Sequence, residues 1–297
     1  MRQTVRLYLL NTMKMKYKIG NFTIEIKSQT QFENVPPYSL FVCETDSVDY
    51  RVNVICASDF PAINEDQCYT TQDRICFTKQ NELHCAYKSR DNKSKYYAYR
   101  RFDGENIYLL IDDRYKDLFR ADVIFSLIGI EELAIHSGGC VLHSSFIEKN
   151  GSALLFTGPC SIGKSTQANL WRDYANATII NGDKTFIFEE NGVMFASGIP
   201  FSGSSKDCKN LKYPLKAIIC LDKSQNNSAT KLIGNKSFYK IFKNCYPVPY
   251  SRNLTSMLFD FVQKLSQNVN VYEYACLADK SAVRYLERTL CLILQNR

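Results

Sequence analysis

The segment SALLFTGPCSIGKST, residues 152–166, carries the clearest structural signal in this chain. Its second part, Gly158 to Thr166, matches the phosphate-loop pattern G-x-x-x-x-G-K-[ST], in which a turn of small residues exposes backbone N–H groups to a phosphate. In such a loop Lys164 reaches the β- and γ-phosphates, and the Ser165 hydroxyl ligates Mg²⁺. The pattern therefore predicts binding of a nucleoside triphosphate.

The residues around the loop favour a strand before it and a helix after it. Residues 152–157 form an apolar run, and residues 164–174 are mostly good helix formers. A second β-branched run follows at residues 177–180. Strand, loop, helix and strand make up the βαβ unit, in which a phosphate binds at the helix N-terminus. This complete context favours a phosphate site over the alternative, a glycine turn in front of an ordinary helix.

Length and charge limit the class of protein. The chain has 297 residues, 45% of them hydrophobic, which is enough for one large or two medium-sized domains. Its net charge of +7 is spread along the chain, which suits an anionic ligand and argues against nucleic acid or a membrane surface as a partner. No apolar run approaches the roughly 18 residues of a membrane span. We therefore expect neither nucleic-acid binding nor membrane association.

The cysteines are expected to be thiols in a reducing cytoplasm. All twelve are scattered through a long chain, with no C-x-x-C pair and no zinc-like spacing. Several lie inside apolar runs and are predicted to be small buried side chains, namely Cys56, Cys220 and Cys276.

The hydrophobic pattern divides the chain into four parts. Residues 1–14 are predicted to be a disordered extension. Residues 15–116 alternate with period two between polar turns, which predicts an N-terminal antiparallel β domain. Residues 117–137 have apolar residues three and four apart, which predicts a connecting helix. Residues 138–297 mix both patterns around the phosphate loop and are predicted to be an α/β domain with a P-loop core.

Three short segments of that domain carry more specific predictions. The turns Asn150-Gly151 and Asn191-Gly192 each predict a hairpin, and the apolar run at residues 216–221 predicts a strand that is buried on both faces.

Two side chains outside the loop are candidates for chemistry, because phosphoryl transfer needs a metal-holding carboxylate and a group that orients the acceptor. Asp183 ends a strand in Asn-Gly-Asp, and parallel pairing in the βαβ unit predicts it beside Lys164 and Ser165. The alternative is a turn that merely ends the strand. His143 lies one hairpin before the loop, and strand pairing predicts it near the phosphates, although a lone strand histidine is often structural.

A loop rich in small and hydroxyl residues follows at residues 198–206. It has the composition of a flexible active-site lid, with Ser202, Ser204 and Lys206 as candidate phosphate or substrate contacts. An ordinary surface loop is equally compatible with that composition.

Taken together, these segments resemble the HPr kinase/phosphorylase-like proteins. The resemblance rests on the phosphate loop with Leu142-His-Ser-Ser145, Ile180-Asn-Gly-Asp183 and Gly198-Ile-Pro-Phe-Ser-Gly203, and it covers about residues 138–294. The branch found beside bacterial peptide natural product genes, whose members phosphorylate a serine of a precursor peptide, is more similar still. The resemblance implies a phosphoenolpyruvate carboxykinase-like P-loop core, ATP or alternatively GTP with Mg²⁺, and a peptide or protein substrate bearing serine or threonine. A homo-oligomer is left open.

The pattern and the resemblance together assign residues to roles. Catalysis falls on Asp183, His143 and Lys164, and the metal on Ser165 and Asp183. The nucleotide falls on the loop residues Gly158, Ser161, Gly163, Lys164, Ser165 and Thr166.

The chain departs from the family at one position. Kinases of the main family carry two adjacent aspartates, the first of which acts as base toward the acceptor serine, whereas Gly182 stands at that place here. Either Asp183 takes both duties, or His143 orients the hydroxyl, or the chain has lost transfer chemistry. The leading hypothesis is a serine kinase of peptides or proteins. The alternatives are a non-catalytic nucleotide-binding regulatory or assembly module and a small-molecule kinase.

Overall fold

The structure, a computed structural model, describes residues 13–91 and 94–294. Within them the chain forms two eight-stranded sheets and six α-helices, so the fold is mixed α/β. It divides into two compact units, Met1–Leu133 with Val248–Thr255, and Ala134–Pro247 with Ser256–Arg297. Of the predicted extension over residues 1–14, residues 1–12 lie outside the described residues. Met13 and Lys14 belong to the first strand, so the extension does not include them.

The first unit is built on one sheet with strand order β1-β2-β3-β8-β7-β6-β5-β4. Its strands are β1 (Met13–Ile19), β2 (Phe22–Ser28), β3 (Tyr50–Ala57), β4 (Tyr69–Thr70), β5 (Arg74–Lys79), β6 (Glu82–Lys88), β7 (Tyr96–Phe102) and β8 (Asn106–Asp112). Its helices include α1 (Ala121–Leu127) and the start of α2 (Ile130–His136).

This sheet is mixed, so the prediction of an antiparallel domain is wrong for its centre. β2 pairs with β3 in parallel, and β3 pairs with β8 in parallel, while the remaining neighbours are antiparallel. The chain leaves β2 through a long crossover that includes the 3-10 turn Tyr38–Phe41, and it therefore enters β3 from the same end as β2. Alternation of apolar and polar residues with period two indicates that one face of a strand is buried. It does not show whether the neighbouring strands are parallel or antiparallel.

The single helix predicted over residues 117–137 is instead divided into short pieces. A 3-10 segment, Asp113–Leu118, precedes α1, and Gly129 separates α1 from α2. Gly129 has φ +74°, and a Cβ built there would lie 1.7 Å from Nη1 of Arg100. The buried guanidinium thus occupies the space that a side chain in a continuous helix would need.

One pair of cysteines is also contrary to the expectation of free thiols. Cys76 on β5 and Cys85 on β6 are direct cross-strand partners with Cα atoms 4.3 Å apart, and a disulfide joins them. Three other cysteines are predicted to be buried. Cys220 is buried, whereas Cys56 and Cys276 are partly exposed. The pairing required knowledge of strand register, which spacing in the sequence does not provide.

The second unit contains the predicted phosphate loop. Its strands are β9 (Gly139–Lys149), β10 (Ser152–Thr157), β11 (Thr178–Asn181), β12 (Lys184–Glu190), β13 (Val193–Gly198), β14 (Lys212–Lys223), β15 (Ser228–Leu232) and β16 (Asn270–Cys276). Its helices are α3 (Lys164–Ala175), α4 (Asn235–Phe242), α5 (Arg252–Asn268) and α6 (Lys280–Leu294). The helices α2 and α5 each have residues in both units.

Two long strands organise the second sheet. β9 pairs with β12 through its first half and with β10 and β11 through its second half. β14 pairs with β13 at its start and then runs parallel to β10 and β16. The two hairpins predicted from Asn-Gly turns, β9–β10 and β12–β13, are confirmed. As a result β10, which leads into the phosphate loop, is paired along its length with β9 on one side and β14 on the other.

The core of this unit packs around α3. Trp171 and Ala168 on α3 are buried against Phe156 of β10, Ile219 of β14 and Leu286 of α6. Burial of one large aromatic side chain contributes a few kcal/mol, so this contact holds the middle of α3 against the sheet. Among the described residues, no helix is both long and apolar enough to span a membrane.

Candidate functional site

The phosphate loop connects β10 to α3 through a turn that contains residues with positive φ. Gly158, Ser161 and Gly163 have φ of 144°, 61° and 113°, and α3 begins at Lys164 without a side-chain cap on its first turn. The first N–H groups of a helix have no partner within the helix, and they carry the positive end of its dipole. The strand and helix predicted around the loop are confirmed, and the arrangement is suited to an anion.

Lys164 lies inside the loop. Its side chain is largely buried, and Nζ donates to the carbonyl oxygens of Gly158, at 3.1 Å, and Pro159, at 3.0 Å. Burial lowers the pKa of Lys164, while the nearby Cys160 and Asp183 act in the opposite direction. An ammonium group that is partly stripped of water interacts more strongly with an anion than one in bulk water does.

Three parallel strands end beside this loop. β10, β14 and β16 run side by side, and in register Thr157 lies opposite Cys220 and Lys223 opposite Cys276. A cavity of about 380 Å³ lies at these carboxyl ends, and Ser161, Ile162, Thr166, Asp222, Gln225 and Leu277 are among its lining residues. Ligands of open α/β sheets bind at the carboxyl ends of parallel strands. The cavity therefore adjoins the phosphate loop at the edge of the sheet where such ligands bind.

The route by which Asp183 reaches the loop differs from the predicted one. β11 does not pair with β10, because β9 lies between them and pairs antiparallel with both. The two strands of the predicted βαβ unit are thus parallel but not adjacent. Residue Ile147 of β9 is the partner of Leu154 on one side and Ile179 on the other. The insertion of β9 places His143, rather than Asp183, directly beside the end of β10.

His143 and Asp183 lie next to each other. Nε2 of His143 is 3.5 Å from Oδ1 of Asp183, the Asp183 carbonyl accepts from the N–H of Ser144, and Oγ1 of Thr157 donates to the His143 carbonyl at 2.8 Å. The hydrogen bond from His143 lowers the pKa of Asp183, burial opposes it, and the positive charges of Lys184 and Lys164 lower it further. Asp183 is therefore held as a carboxylate.

The His143 contact should be visible in the titration of Asp183. Replacing His143 with Leu removes the hydrogen bond, so we expect the pKa of Asp183 to move upward, toward or above the ordinary value of about 3.9. Because the native pKa is lowered, its contribution to stability is present above about pH 4 and is lost as the pH falls through the native pKa.

The titration can be followed by ¹³C NMR of the Asp183 carboxyl carbon. The variant His143→Gln, whose amide can still donate to the carboxylate, serves as the matched control and should shift the pKa less. An identical midpoint in wild type and His143→Leu would contradict this assignment of the cause.

The turn that carries Asp183 is anchored by a residue that sequence reasoning did not single out. Asn181 is fully buried, its Oδ1 accepts from the N–H groups of Asp183 and Lys184, and its Nδ2 donates to the Ile199 carbonyl at 2.7 Å. The amide thus fixes Asp183 and also ties the turn to the following loop. An asparagine at the start of an Asn-Gly-Asp turn was the only available signal, and it is shared by many ordinary turns.

The loop predicted as a lid or surface loop packs against this turn. The N–H of Gly182 donates to the Asp207 carbonyl, Ser205 Oγ donates to the Ser202 carbonyl, and Ser205 Oγ accepts from the Asp207 N–H. A Cβ built on Gly182 would lie 1.8 Å from Ser205 Oγ. The place where a side chain at position 182 would begin is thus filled by Ser205, which was not among the predicted loop contacts.

Gly182 is expected to tolerate no side chain while Ser205 is present. The Gly182→Ala variant should lose about 1–3 kcal/mol of unfolding free energy, because its Cβ overlaps the Ser205 side chain. The double variant Gly182→Ala/Ser205→Gly should recover most of that loss, with Ser205→Gly alone as the reference. Urea unfolding measures all three. A Gly182→Ala variant as stable as wild type would show that the loop of residues 198–206 moves away from the new side chain without loss of unfolding free energy.

The predicted site residues fall into two groups in the structure. Gly158, Ser161, Gly163, Lys164, Ser165 and Thr166 form the loop and the first turn of α3. His143 and Asp183 form a contact pair, and Asp183 interacts electrostatically with Lys164. No group of three or more His, Cys, Asp or Glu side chains suited to a metal occurs in the part of the chain that the structure describes. Mg²⁺ is commonly bound through one or two carboxylates together with substrate phosphates.

Two further residues beside the pair were missed. Lys184 follows Asp183 directly, and its ammonium lies 4.3 Å from the ring centre of Tyr246, whose ring centre is 6.3 Å from that of His143. The sequence did carry a signal for Lys184. This residue directly follows Asp183 at the start of β12, and β12 pairs with β9, the strand of His143. Tyr246 carried no signal, since it lies in a loop far from the other residues in sequence.

Comparison with known proteins gave one kind of match. Neither a family model nor a curated protein matches the chain. Among solved structures, the Hpr(Ser) kinase/phosphatase from Coxiella burnetii is similar over 52% of this chain and 98% of that chain, with 15% sequence identity and a TM-score of 0.32. A likeness of this size bears on neither the ligand nor the activity of the present chain, for which the geometry of the site is the guide.

Proposed function

We propose that this chain transfers the γ-phosphoryl group of ATP, with Mg²⁺, to a serine or threonine hydroxyl of a peptide or protein. One observation carries the proposal: the phosphate loop and the His143–Asp183 pair lie at the same end of one sheet, linked by the bond from Thr157 to the His143 carbonyl. A loop alone accounts for binding. A carboxylate and an imidazole beside it supply what transfer needs in addition.

The donor side is assigned to the loop. The exposed amides and Lys164 would hold the β- and γ-phosphates, while Ser165 and Asp183 would hold the metal. Bound Mg²⁺ supplies positive charge to phosphate oxygens. Ser165 and Asp183 suit Mg²⁺ for two reasons. Asp183 is kept ionised by His143. A hydroxyl and a carboxylate are also the hard oxygen ligands that Mg²⁺ prefers. The cavity of about 380 Å³ beside the loop would take the nucleoside, adenosine or alternatively guanosine.

The acceptor side is assigned to the pair. In the proposed reaction the acceptor oxygen forms a bond to the γ-phosphorus, the bond from that phosphorus to the β–γ bridging oxygen breaks, and ADP leaves. The hydroxyl proton passes to Asp183 or to His143. Gly182 provides no base, and the space is filled by Ser205, so the pair is the nearest candidate. Transfer of this kind depends mainly on positioning and charge, so a modest base is sufficient.

The proposal is tested by incubation with γ-labelled ATP, Mg²⁺ and serine-containing peptides, including the precursor peptide of any neighbouring natural product gene. We expect label in phosphoserine or phosphothreonine, and none when Mg²⁺ is removed with a chelator. Label that appears only as free phosphate, with every peptide tried, would contradict a peptide or protein acceptor.

A second function is favoured by a specific observation. Because Ser205 occupies the place of the family's base, the chain could bind nucleotide without transferring phosphate, as a regulatory or assembly module. Tight binding of MgATP with no turnover on peptides, small alcohols or water supports this module and excludes the kinase. Turnover with any hydroxyl acceptor excludes the module.

A further inference from the structure

Lys184 is placed by strand register beside the site. It is the first residue of β12, directly after Asp183, and its partner across the sheet is His143. Side chains of directly opposed residues lie on the same face of a sheet. Lys184 therefore projects from the same face as His143.

Two aromatic rings hold the Lys184 ammonium. Nζ lies 4.3 Å from the ring centre of Tyr246 and 5.2 Å from that of Phe201. Cation–π contacts at these distances are attractive, and they restrict the motion of the long lysine side chain. The N–H of Tyr246 donates to the Val141 carbonyl of β9, so the ring is attached to the same strand that carries His143. The ammonium is thus held in position by two separate segments, one that carries Phe201 and one that carries Tyr246.

Lys184 lies beside the His143–Asp183 pair, because it directly follows Asp183 and is the register partner of His143. The Asp183 carboxylate is stabilised by the His143 bond and by the positive charges of Lys184 and Lys164. Two ammonium groups therefore act on one carboxylate, and only Lys164 belongs to the phosphate loop. During transfer, negative charge is spread over three equatorial oxygens of the phosphoryl group, and fixed cations near them stabilise it.

We propose that Lys184 is a second cation of the site, which contacts the phosphoryl group during transfer and stabilises its charge. This inference rests on the proposed function. An acidic group on the acceptor is the competing partner for the same ammonium, and it would affect acceptor binding without affecting the phosphoryl group. The two are separated by a probe that contains the phosphoryl mimic and no acceptor.

The experiment uses isothermal titration calorimetry to measure binding of MgADP with and without aluminium fluoride. Aluminium fluoride mimics the phosphoryl group in the transition state of transfer. For Lys184→Met we expect a Kd for MgADP within about threefold of wild type, and a weakening of the aluminium fluoride complex on the order of 10²-fold. Lys184→Arg should restore part of the loss. Lys184→Gln is measured alongside, so that a folding failure of one variant still leaves a test.

The matched control is Lys212→Met, because Lys212 also lies over two rings, Phe188 and Phe195, on the same sheet. It should weaken neither complex. If Lys184→Met behaves like Lys212→Met while Lys164→Met weakens both complexes, Lys184 has no such role and the inference is overturned. Equal weakening of MgADP and of the aluminium fluoride complex by Lys184→Met overturns it as well. A wild-type chain that binds no MgADP refutes the proposed function itself.

Discussion

Replacing Lys164 with Met is expected to lower phosphoryl transfer from ATP by roughly 10³-fold or more, since a single cation at the transferred group is worth about that much in phosphotransferases. The ammonium is largely buried and lies against the carbonyls of Gly158 and Pro159, within the curve of the loop. No neighbouring cation belongs to the same loop, so a thioether of similar length would leave the γ-phosphate without that charge. The measurement is the initial rate of label transfer from γ-labelled ATP under saturating Mg²⁺.

The control for Lys164→Met is Arg172→Met on the same helix. Arg172 is half-exposed and pairs with its neighbour Asp173, away from the phosphate loop. Its replacement should leave the rate within about twofold, because exposed ion pairs contribute little. Both variants are compared with wild type by circular dichroism and thermal unfolding. Transfer that persists at the wild-type rate in a folded Lys164→Met variant would remove Lys164 from the mechanism.

Replacing Glu132 with Gln is expected to destabilise the first unit by about 3–5 kcal/mol, because the change leaves a buried charge without its partner. Arg100 is 0% exposed and Glu132 is 3% exposed, and Nη2 of Arg100 lies 2.7 Å from both carboxylate oxygens. Burial lowers the pKa of the Arg100 guanidinium. The nearby negative charge of Glu132 raises this pKa, and the net shift is upward. The Tyr250 hydroxyl also donates to Glu132, and burial raises the pKa of Tyr250. Urea unfolding followed by tyrosine fluorescence measures the loss.

The neighbouring Glu131→Gln variant is the control for Glu132. Glu131 is partly exposed, so its neutralisation should change stability by no more than about 0.5 kcal/mol. The double variant Arg100→Met/Glu132→Leu removes both charges and should be much less destabilised than Glu132→Gln alone. A loss below 1 kcal/mol for Glu132→Gln would show that water reaches Arg100 and solvates it.

Local sequence predicted the elements next to the site well. The turn residues Asn150-Gly151 and Asn191-Gly192, all with positive φ, join the predicted hairpins. The apolar run at residues 216–221 lies within β14, which is parallel to its neighbours on both sides. Each of these predictions depends on residues that are close in sequence, where backbone preference and burial pattern act directly.

Pairing between distant segments was predicted less well. The centre of the first sheet is parallel, the predicted connecting helix is broken at Gly129, and Cys76 is joined to Cys85. Within the second unit β9 separates β10 from β11. In every case the outcome depends on which distant residues become neighbours, and one local pattern is compatible with several neighbours.

The sequence by itself determined the phosphate loop between Gly158 and Thr166, because a turn that exposes consecutive amides ahead of a helix is a property of a short segment. It also identified His143 and Asp183 as candidates. Only the tertiary structure decided that His143 contacts Asp183, that Ser205 fills the space beside Gly182, and that Tyr246 and Phe201 hold Lys184 next to them. These contacts join residues far apart along the chain, and their energies arise from close packing and low local dielectric, which exist only once the sheet has formed.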